Sequence, residues 1–259
     1  MKERIDIVLV ERGLVESRTK AQWLIMNGYL IINGKKIMKP GKRIESSLEI
    51  QLIKKFPYVG RGGLKLEAAL KDFSISVKDK VCADIGASVG GFTDCLIKHG
   101  VSKVYAIDTA IDLLHPLLRN EKMKKKVIPM LGVDARNMIE MEEKVDICTI
   151  DVTFTSLKAI LPNVKNFLKK NSIIIALIKP LFETQFHKEK KFKIIRESKI
   201  IYNILIELIE WSIKKEIFPY GIKKSPLLGK GGSIEFLIYY KIHKISSKFD
   251  YKKELKEII

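Results

Sequence analysis

The first part of the chain carries two short stretches of helical hydrophobic spacing. Apolar residues recur at helical intervals over residues 5–10, and this pattern stops at Gly13. Ser17 is a favoured N-cap residue, because its hydroxyl accepts a hydrogen bond from a free N–H in the first helical turn. It therefore predicts a second helix over residues 18–26.

A hairpin follows these two predicted helices. Asn33-Gly34 separates two β-prone runs at residues 29–32 and 35–38. Both central residues of a type I′ turn need positive φ angles, which Asn and Gly tolerate best. Residues 44–53 then predict a last strand, so that this part of the chain is expected to form a small α+β domain.

From Val81 onward, apolar runs of strand length alternate with amphipathic helices, the longest of which covers residues 193–214. This alternation predicts an α/β fold with a Rossmann-like, doubly wound and mostly parallel sheet. Ligands of such sheets bind outside the carboxyl ends of the strands. The predicted strands cover residues 81–85, 103–107, 126–130, 145–151, 172–179, 215–220 and 234–240.

These patterns divide the chain into three parts. Residues 1–60 are expected to form the small N-terminal domain, with a linker at about 54–61. The α/β domain is expected to cover residues 62–242. Residues 243–259 form a basic C-terminal tail, whose end either folds as a short helix or frays.

The charge balance points to the kind of partner. Lys and Arg number 48 against 30 Asp and Glu, which gives a net charge of +18. Such an excess indicates a polyanion, either nucleic acid or an anionic membrane surface, although a merely lysine-rich surface would give the same number. The chain opens on charged residues, and its longest apolar run, residues 173–178, is far shorter than the roughly 18–20 residues that cross a bilayer. We therefore expect a cytoplasmic protein without a membrane span.

The potential metal ligands are few and scattered. Cys82, Cys95 and Cys148 lie inside apolar segments and form no Cys-x-x-Cys pair, as expected for reduced core thiols. The four histidines show no ligand spacing. We therefore expect no metal.

Basic residues crowd into the N-terminal domain. Its order of helix, helix, Asn-Gly hairpin and Lys39-Pro40-Gly41 resembles the RNA-binding domain named after small-subunit ribosomal protein S-four. In that domain the second helix and the hairpin grip the RNA backbone by shape and charge. The alternative is a solvated basic surface on an accessory domain. The residues expected to contact RNA are Arg4, Arg12, Arg18, Lys20, Lys36, Lys39, Arg43 and Arg61.

A glycine-rich loop follows the first predicted strand of the α/β domain. Small residues let the backbone approach a ligand closely, and the next helix offers free N–H groups at its start. Asp108 ends the second strand, where its carboxylate is placed to accept hydrogen bonds from ribose hydroxyls. Nicotinamide and S-adenosylmethionine enzymes share this arrangement, and a purely structural turn would also be rich in glycine. The loop residues expected to contact a cofactor are Asp84, Gly86, Ala87, Ser88, Gly90, Gly91 and Phe92.

Two of these residues favour S-adenosylmethionine over a dinucleotide. Ser88 stands where a dinucleotide site has the glycine that admits a pyrophosphate. Asp84 would repel a pyrophosphate, whereas a carboxylate suits a cofactor that carries an amino group and a sulfonium. After the third strand, Asp134 is expected to accept a hydrogen bond from the adenine amine, and Ala135 to contact the same cofactor. We therefore expect S-adenosylmethionine as the cofactor.

Four ionisable residues stand at positions where they could act in catalysis. Lys65 lies near the start of the helix that precedes the first sheet strand, and Asp151 ends the fourth strand. Lys179 ends the fifth strand, and Glu235 opens the last one. Because the carboxyl ends of parallel strands lie at one edge of a sheet, the first three are expected to converge beside a methyl donor.

Seven segments, spread over nearly the whole chain, match one family: Val10-Glu-Arg-Gly-Leu with Ser17-Arg18, Ile31-Ile-Asn-Gly, Arg61-Gly-Gly-Leu-Lys-Leu, Asp84-Ile-Gly-Ala-Ser, Gly90-Gly-Phe-Thr-Asp, Asp151-Val-Thr-Phe-Thr-Ser-Leu and Lys179-Pro-Leu-Phe-Glu. The chain thereby resembles the TlyA-type (hemolysin A family) 2′-O-ribose methyltransferases of ribosomal RNA, which join an S-four-like domain to an FtsJ-like catalytic domain. The resemblance implies S-adenosylmethionine-dependent methylation of cytidine 2′-hydroxyls in 16S or 23S rRNA, within 30S or 50S subunits. It also implies a catalytic Lys-Asp-Lys-Glu tetrad, which falls on Lys65, Asp151, Lys179 and Glu235.

The sequence departs from the family pattern at several places. Val89 and Thr153 stand where Thr and Ser are usual, and Leu181 and Ser233 replace a usual Gln and Asn. Residues 186–195 lack the Gly-Val-Val-Arg-like stretch that the family carries after the Lys-Pro motif. All four tetrad residues are present, so these departures bear on the target nucleotide rather than on activity.

The chemistry of 2′-O-transfer explains the types of the tetrad residues. A ribose hydroxyl is a poor nucleophile near neutral pH and must lose its proton as it attacks a sulfonium methyl. We hypothesise that Lys179 steers or deprotonates the hydroxyl with help from Lys65. Asp151 and Glu235 would then hold the two amines in position. The alternative is that both lysines bind only phosphate.

Two other functions fit parts of the sequence. A non-catalytic RNA-binding assembly factor would keep the fold without the reaction, but the complete tetrad, together with Asp84 and Asp108, argues against it. A membrane-active hemolysin would use the basic surface on anionic lipid, but no spanning segment or export signal supports that function.

Overall fold

The computed structural model describes residues 2–45, 47–138, 140–184, 194–243 and 249–259. The chain separates into two units, Met1–Pro57 and Tyr58–Ile259. Each unit has its own hydrophobic core, the first around Ile5, Leu9 and Leu24, and the second on both sides of a large sheet.

The first unit contains two helices and two small antiparallel sheets. One sheet pairs β1 with β4, and the other has the order β3-β2-β5. Its elements are β1 (Lys2–Arg4), α1 (Ile5–Glu11), α2 (Arg18–Met26), β2 (Leu30–Ile32), β3 (Lys35–Lys36), β4 (Arg43–Glu45) and β5 (Gln51–Leu52).

The helices and the hairpin of this unit lie where the sequence predicts them. The Ser17 side chain accepts a hydrogen bond from Lys20 N–H and caps α2. Asn33 and Gly34 both have positive φ angles, 48° and 72°, and Ile32 pairs with Lys35 across the turn. The predicted type I′ hairpin is therefore confirmed.

The single strand predicted over residues 44–53 is wrong. The segment forms two short strands that belong to different sheets, because β4 pairs with β1 whereas β5 pairs with β2. A turn closed by the Leu48 N–H and the Glu45 carbonyl separates them. Strand β1, the partner of β4, consists of three polar residues, so the hydrophobic pattern did not predict it.

The second unit is built on a seven-stranded sheet with the order β11-β12-β10-β9-β6-β7-β8. Strands β6 to β10 run parallel to one another, and β12 runs antiparallel to both of its neighbours, β10 and β11. The predicted doubly wound, mostly parallel sheet is therefore confirmed. Its strands are β6 (Val81–Ile85), β7 (Lys103–Asp108), β8 (Val127–Leu131), β9 (Val145–Ile150), β10 (Leu168–Ile178), β11 (Phe218–Lys224) and β12 (Phe236–Lys241).

Helices cover the sheet and connect its strands. In the longest helix, Ile201, Leu205, Leu208 and Ile209 are buried, and this spacing places them on one face. That helix begins at Ser198, five residues after the predicted start, and residue 193 lies outside the described residues. The helices are α3 (Gly62–Asp72), α4 (Gly91–Lys98), α5 (Pro116–Arg119), α6 (Leu161–Val164), α7 (Pro180–Glu183), α8 (Ser198–Lys214) and α9 (Tyr251–Ile258).

The end of the chain is a short helix of the second unit. Asp250 caps α9 by accepting hydrogen bonds from two backbone N–H groups. Leu255 is fully buried, and Lys223 of β11 forms an ion pair with Glu254 at 2.6 Å. The helical alternative for the tail therefore holds, while residues 244–248 lie outside the described residues.

The order of the strands determines where a ligand can bind. From β6 the chain continues to β7 and β8 on one side and then crosses to β9 and β10 on the other. The order in which strands are added to the sheet therefore reverses between β6 and β9. The crevice beyond the carboxyl ends of these two strands is the expected ligand site. Within the described parts of the chain, no helix is long and apolar enough to cross a membrane.

Candidate active site

The loop after β6 lines a cavity of about 490 Å³ at this reversal point, called here the first cavity. Gly86 has a φ angle of +80°, and a Cβ on it would lie 2.5 Å from the Asp151 carbonyl oxygen. Glycine is therefore required where the loop passes the end of β9. Five of the ten residues predicted to bind a cofactor line this cavity: Gly86, Ser88, Asp108, Asp134 and Ala135.

Asp108 is held in one orientation by the backbone. Its Oδ2 accepts a hydrogen bond from the Ser88 N–H at 2.7 Å, and its Oδ1 accepts one from the Ala110 N–H at 2.8 Å. Each carboxylate oxygen has a second lone pair. The carboxylate can therefore accept hydrogen bonds from hydroxyl groups of a ligand without rearranging.

Asp134 lies in the first cavity, but Arg136 already holds it. The guanidinium donates from Nε to Asp134 Oδ1 at 3.0 Å and from Nη2 to Oδ2 at 2.5 Å. These bonds hold the pKa of Asp134 below its ordinary value. An adenine amine bound at Asp134 would have to share this carboxylate with Arg136, which the sequence analysis did not foresee.

Asp84 does not line the first cavity, although it was expected to contact the cofactor. Its side chain is fully buried at the end of β6. It accepts hydrogen bonds from the hydroxyls of Thr93 at 2.6 Å and Thr149 at 2.9 Å. Asp84 therefore joins β6, β9 and α4 beneath the loop.

The remaining loop residues also act through packing rather than through the cavity lining. A Cβ on Gly91 would lie 3.1 Å from Gly63 N and 3.2 Å from Gly62 Cα, so glycine permits α4 to pack closely against α3. A Cβ on Gly90 would overlap the side chain of Leu118. Ala87 and Phe92 are almost completely buried. These four residues support the conformation of the loop by packing against the rest of the domain.

The stability of the protein should depend on pH through Asp84. Burial raises the pKa of its carboxyl group to about 6, against the opposing hydrogen bonds from Thr93 and Thr149. The unfolded chain releases this proton near pH 4, so between about pH 4 and 6 the folded state binds more protons and becomes less stable as the pH rises.

We therefore compare the free energy of unfolding of Asp84→Asn with that of the unmodified chain. We expect the difference to change by about 3 kcal/mol in favour of the variant as the pH rises from 4 to 7. Urea denaturation of both proteins over this pH range measures the difference, and titrations of other groups cancel. A difference that stays constant with pH would contradict the buried, protonatable state of Asp84.

A second cavity, of about 590 Å³, adjoins the first one and shares Thr153 and Phe154 with it. Lys65, Lys179 and Glu235 line this second cavity, while Asp151 lines the first. The four residues of the expected tetrad thus come from α3, from the position before β12 and from the positions directly after β9 and β10, and they line two adjoining cavities.

The tetrad forms two ion pairs. Lys65 Nζ donates to Glu235 Oε2 at 2.5 Å, and both side chains are almost completely buried. Lys179 Nζ lies 2.6 Å from Asp151 Oδ1 and donates a hydrogen bond to Thr153 Oγ1 at 3.0 Å. The Asp151 oxygen has no aligned donor among the described residues, so it can still accept a hydrogen bond.

Comparisons with known proteins show the family of this chain. A model of the FtsJ-like methyltransferase family matches residues 58–242. The chain belongs to the FtsJ-like methyltransferase family. A model of the S4 domain matches residues 3–50, which places the S4 match within the first unit and the FtsJ-like match within the second.

Relatives and solved structures extend this likeness over both units. YqxC of Bacillus subtilis, named as an rRNA methyltransferase, is 40% identical over 92% of this chain and 85% of its own length. The 23S rRNA (cytidine-2′-O)-methyltransferase TlyA of Campylobacter jejuni is 31% identical over 89% of this chain and 96% of its own. A structure from Streptococcus thermophilus, named as a hemolysin, has a TM-score of 0.73 at 35% identity and covers 99% of this chain and 94% of that one.

In the FtsJ-like domain, the sequence analysis did not assign a role to Phe154 or Glu183. Phe154 has a positive φ of 64°, and its side chain is 68% exposed between the two cavities, 5.4 Å from the Phe182 ring. Glu183 accepts hydrogen bonds from the Ser156 hydroxyl and the Leu157 N–H, which anchors the loop that carries Phe154. The signal available in the sequence was an aromatic residue four positions after the end of β9.

In the S4 domain, most residues expected to contact RNA lie at the surface, and Lys20 is the exception. Its side chain is buried, donates to Glu16 at 2.5 Å and packs over the Phe56 ring. Lys20 is therefore a structural residue in this arrangement. The exposed members are Arg12, Arg18, Lys36, Lys39 and Arg43, and Arg4 is partly exposed.

Arg61 belongs to the FtsJ-like domain, where it is exposed at the start of α3 and lines the second cavity. Within the described residues, no group of three or more His, Cys, Asp or Glu side chains is arranged to hold a metal ion. The three cysteines are buried and unpaired with one another.

Proposed function

We propose that this chain uses S-adenosylmethionine to methylate a ribose 2′-hydroxyl, that of a cytidine in 16S or 23S rRNA within ribosomal subunits. The observation that carries the proposal is the Lys179–Asp151 ion pair at the junction of the two cavities. The names of YqxC and of the Campylobacter jejuni relative point to the same substrate class. A ribosomal substrate would also place the protein in the cytoplasm.

The chemistry of the first cavity fits S-adenosylmethionine. The ionisable residues in its lining are Asp108, Asp134, Arg136 and Asp151. Asp134 neutralises the arginine and Lys179 pairs with Asp151, so that Asp108 leaves one uncompensated negative charge. The cavity is therefore acidic, which suits a cationic ligand with ribose hydroxyls and disfavours a pyrophosphate. Asp108 would hold the ribose hydroxyls, and Gly86 and Ser88 would contact the cofactor through their backbone.

When bound, S-adenosylmethionine supplies an electrophilic methyl group on a sulfonium. The residues of this chain would bring the nucleophile to it. In its neutral form, Lys179 would accept a hydrogen bond from the 2′-hydroxyl and take its proton as the new C–O bond forms. Asp151 would stabilise the resulting ammonium, and the Lys65–Glu235 pair would hold the neighbouring wall of the second cavity in place.

Phe154 would contact the nucleotide that enters the second cavity. Enzymes that act on one nucleotide expose it from its stack, and aromatic side chains then support the base. Phe154 is the exposed aromatic residue in the lining shared by the two cavities. Its position supports a target that is a single nucleotide rather than a base pair.

The test is to incubate the protein with radiolabelled S-adenosylmethionine and unmodified 30S and 50S subunits. Methylation of a 2′-oxygen blocks alkaline cleavage at the next linkage, so mapping the resistant site identifies subunit, nucleotide and atom together. We expect label at one or two alkali-resistant cytidines. Cofactor binding without transfer to subunits or to naked rRNA would favour the assembly-factor alternative instead.

Replacing Asp108 separates cofactor binding from RNA binding. We expect Asp108→Ala to weaken S-adenosylmethionine binding by about tenfold or more, because hydrogen bonds to a charged acceptor contribute about 1.5–3 kcal/mol each. Affinity for ribosomal RNA should not change. Isothermal titration with the cofactor measures the first effect and a filter-binding assay the second. Asp112→Ala is the matched control, because Asp112 is an exposed carboxylate four positions after Asp108.

A further inference from the structure

One carboxylate of the S4 domain is buried among basic side chains. Asp6 lies on α1 and has no solvent-exposed side-chain area. Its Oδ1 accepts a hydrogen bond from Arg4 Nε at 3.0 Å. Its Oδ2 accepts three more, from Arg4 Nη2 at 3.1 Å, Arg18 Nη2 at 3.1 Å and Gln22 Nε2 at 2.8 Å.

This network keeps Asp6 charged. Burial alone would raise the pKa of the carboxyl group, but the hydrogen bonds from Arg4, Gln22 and Arg18 outweigh it and hold the pKa well below its ordinary value. The carboxylate is thus a permanent anion with a saturated set of donors. It contributes no exposed negative charge to the surface.

The arginines, in contrast, remain partly open to solvent. Their side chains are 42% exposed for Arg4 and 53% exposed for Arg18. A guanidinium has more N–H donors than these bonds to Asp6 use. Two planar donor groups from β1 and α2 are therefore fixed side by side on one carboxylate.

We propose that Asp6 is a positioning residue that presents Arg4 and Arg18 as one rigid unit to phosphates of the RNA substrate. The inference rests on the RNA-binding part of the proposed function. Fixed guanidiniums lose little conformational freedom on binding and can form paired hydrogen bonds with phosphate oxygens, which a mobile cation cannot do as well. Gln22 supports the carboxylate from the same helix as Arg18.

A general effect of net charge and a positioning role of Asp6 predict opposite changes in RNA affinity when Asp6 is neutralised. Asp6→Asn removes one negative charge from a chain of net charge +18, so electrostatics alone would strengthen binding to RNA. If Asp6 positions the arginines, the same change frees them and weakens binding. Glu11→Gln is the matched control, because it removes one negative charge from an exposed position at the end of α1.

The experiment measures binding of full-length variants to 30S and 50S subunits over a series of salt concentrations. We expect Asp6→Asn to lower affinity by about tenfold and to reduce the salt slope by about one phosphate contact. We expect Glu11→Gln to bind as well as the unmodified chain or slightly better. An Asp6→Asn variant that binds as tightly as Glu11→Gln would overturn the proposal.

A second comparison separates positioning from a general structural role. In an Arg4→Gln/Arg18→Gln background, Asp6→Asn should cause no further loss, because Asp6 acts only through these arginines. A further loss of similar size would show that Asp6 merely maintains the fold, which overturns the proposal. Arg18→Lys keeps the charge and leaves Arg4 and Gln22 on Asp6, and we expect it also to bind more weakly.

Binding and methyl transfer are read separately, so the two proposals fail in different ways. If the chain binds subunits but transfers no methyl group, the reaction is wrong while the Asp6 comparison still decides the inference. If the unmodified chain binds no ribosomal RNA, both are overturned. Where transfer occurs, Asp6→Asn should raise the KM for the RNA substrate and leave kcat and cofactor affinity unchanged.

Discussion

Replacing Lys179 by alanine is expected to lower the rate of methyl transfer by about 10²–10⁴-fold, which is the usual size of a general acid–base contribution. Lys179 Nζ lies at the end of β10, beside Asp151 and Thr153. In the proposed reaction it is the group that takes the proton of the 2′-hydroxyl. Affinities for the cofactor and for ribosomal RNA should not change, because Asp108 and the S4 domain supply them.

Single-turnover assays with saturating cofactor and RNA measure this effect directly. Lys158→Ala is a matched control, since that lysine forms an ion pair with Glu207 and lines neither cavity. Lys179→Arg keeps the positive charge but cannot accept a proton, because arginine remains protonated in proteins. It should therefore be as inactive as Lys179→Ala. Full activity of the arginine variant, or lost RNA affinity with normal turnover in the alanine variant, would mean that Lys179 only binds phosphate.

Removing the carboxylate of Glu235 is expected to destabilise the FtsJ-like domain by about 3–5 kcal/mol, because it leaves the Lys65 ammonium buried without its partner. The two side chains are 10% and 4% exposed and lie 2.5 Å apart. The carboxylate packs directly against Gly229, where a Cβ would overlap it. Glu235→Ala and Lys65→Met should therefore each lower the midpoint of urea denaturation.

The double variant Lys65→Met/Glu235→Leu distinguishes stability from catalysis. Replacing a whole buried ion pair by apolar side chains is often close to neutral, so stability should return to nearly that of the unmodified chain. Methyl transfer should not return, if the pair also supports the reacting groups. Trp211 on α8, studied in a Trp23→Phe background, reports unfolding of this domain alone. Recovery of both properties in the double variant would show that the pair is structural only.

The elements with strong local patterns were predictable from sequence. All seven strands of the large sheet were expected within a few residues, because most of them contain an apolar run that the sheet buries. Helix α2 and the Asn33-Gly34 hairpin were predicted from single residues whose local chemistry determines a cap or a turn. Strand β4 and strand β5 were not separated, since their partners are set by contacts distant in sequence.

In the candidate site as well, some placements of side chains were predictable from sequence and others were not. The ends of β9 and β10 were expected to place Asp151 and Lys179 together, and their atoms lie 2.6 Å apart. The hypothesis that Asp151 and Glu235 hold the two lysine amines did not state which pairs form, and the structure pairs Lys65 with Glu235, 170 positions away. The sequence also did not show that the side chains of Asp84 and Lys20 are buried and hydrogen-bonded within the protein, because a charged residue type does not show which way its side chain turns.

The sequence by itself determined that this chain has the fold and the motifs of an FtsJ-like methyltransferase joined to an S4 domain. Hydrophobic periodicity, glycine positions and strand-end residues are local properties, so they can be read along the chain. Only the tertiary structure decided which charges meet. It paired Lys65 with Glu235 and Lys179 with Asp151, and it placed Arg18 on the buried Asp6. Such pairs depend on burial and on distances in space, because a charge loses its water only where the folded chain covers it.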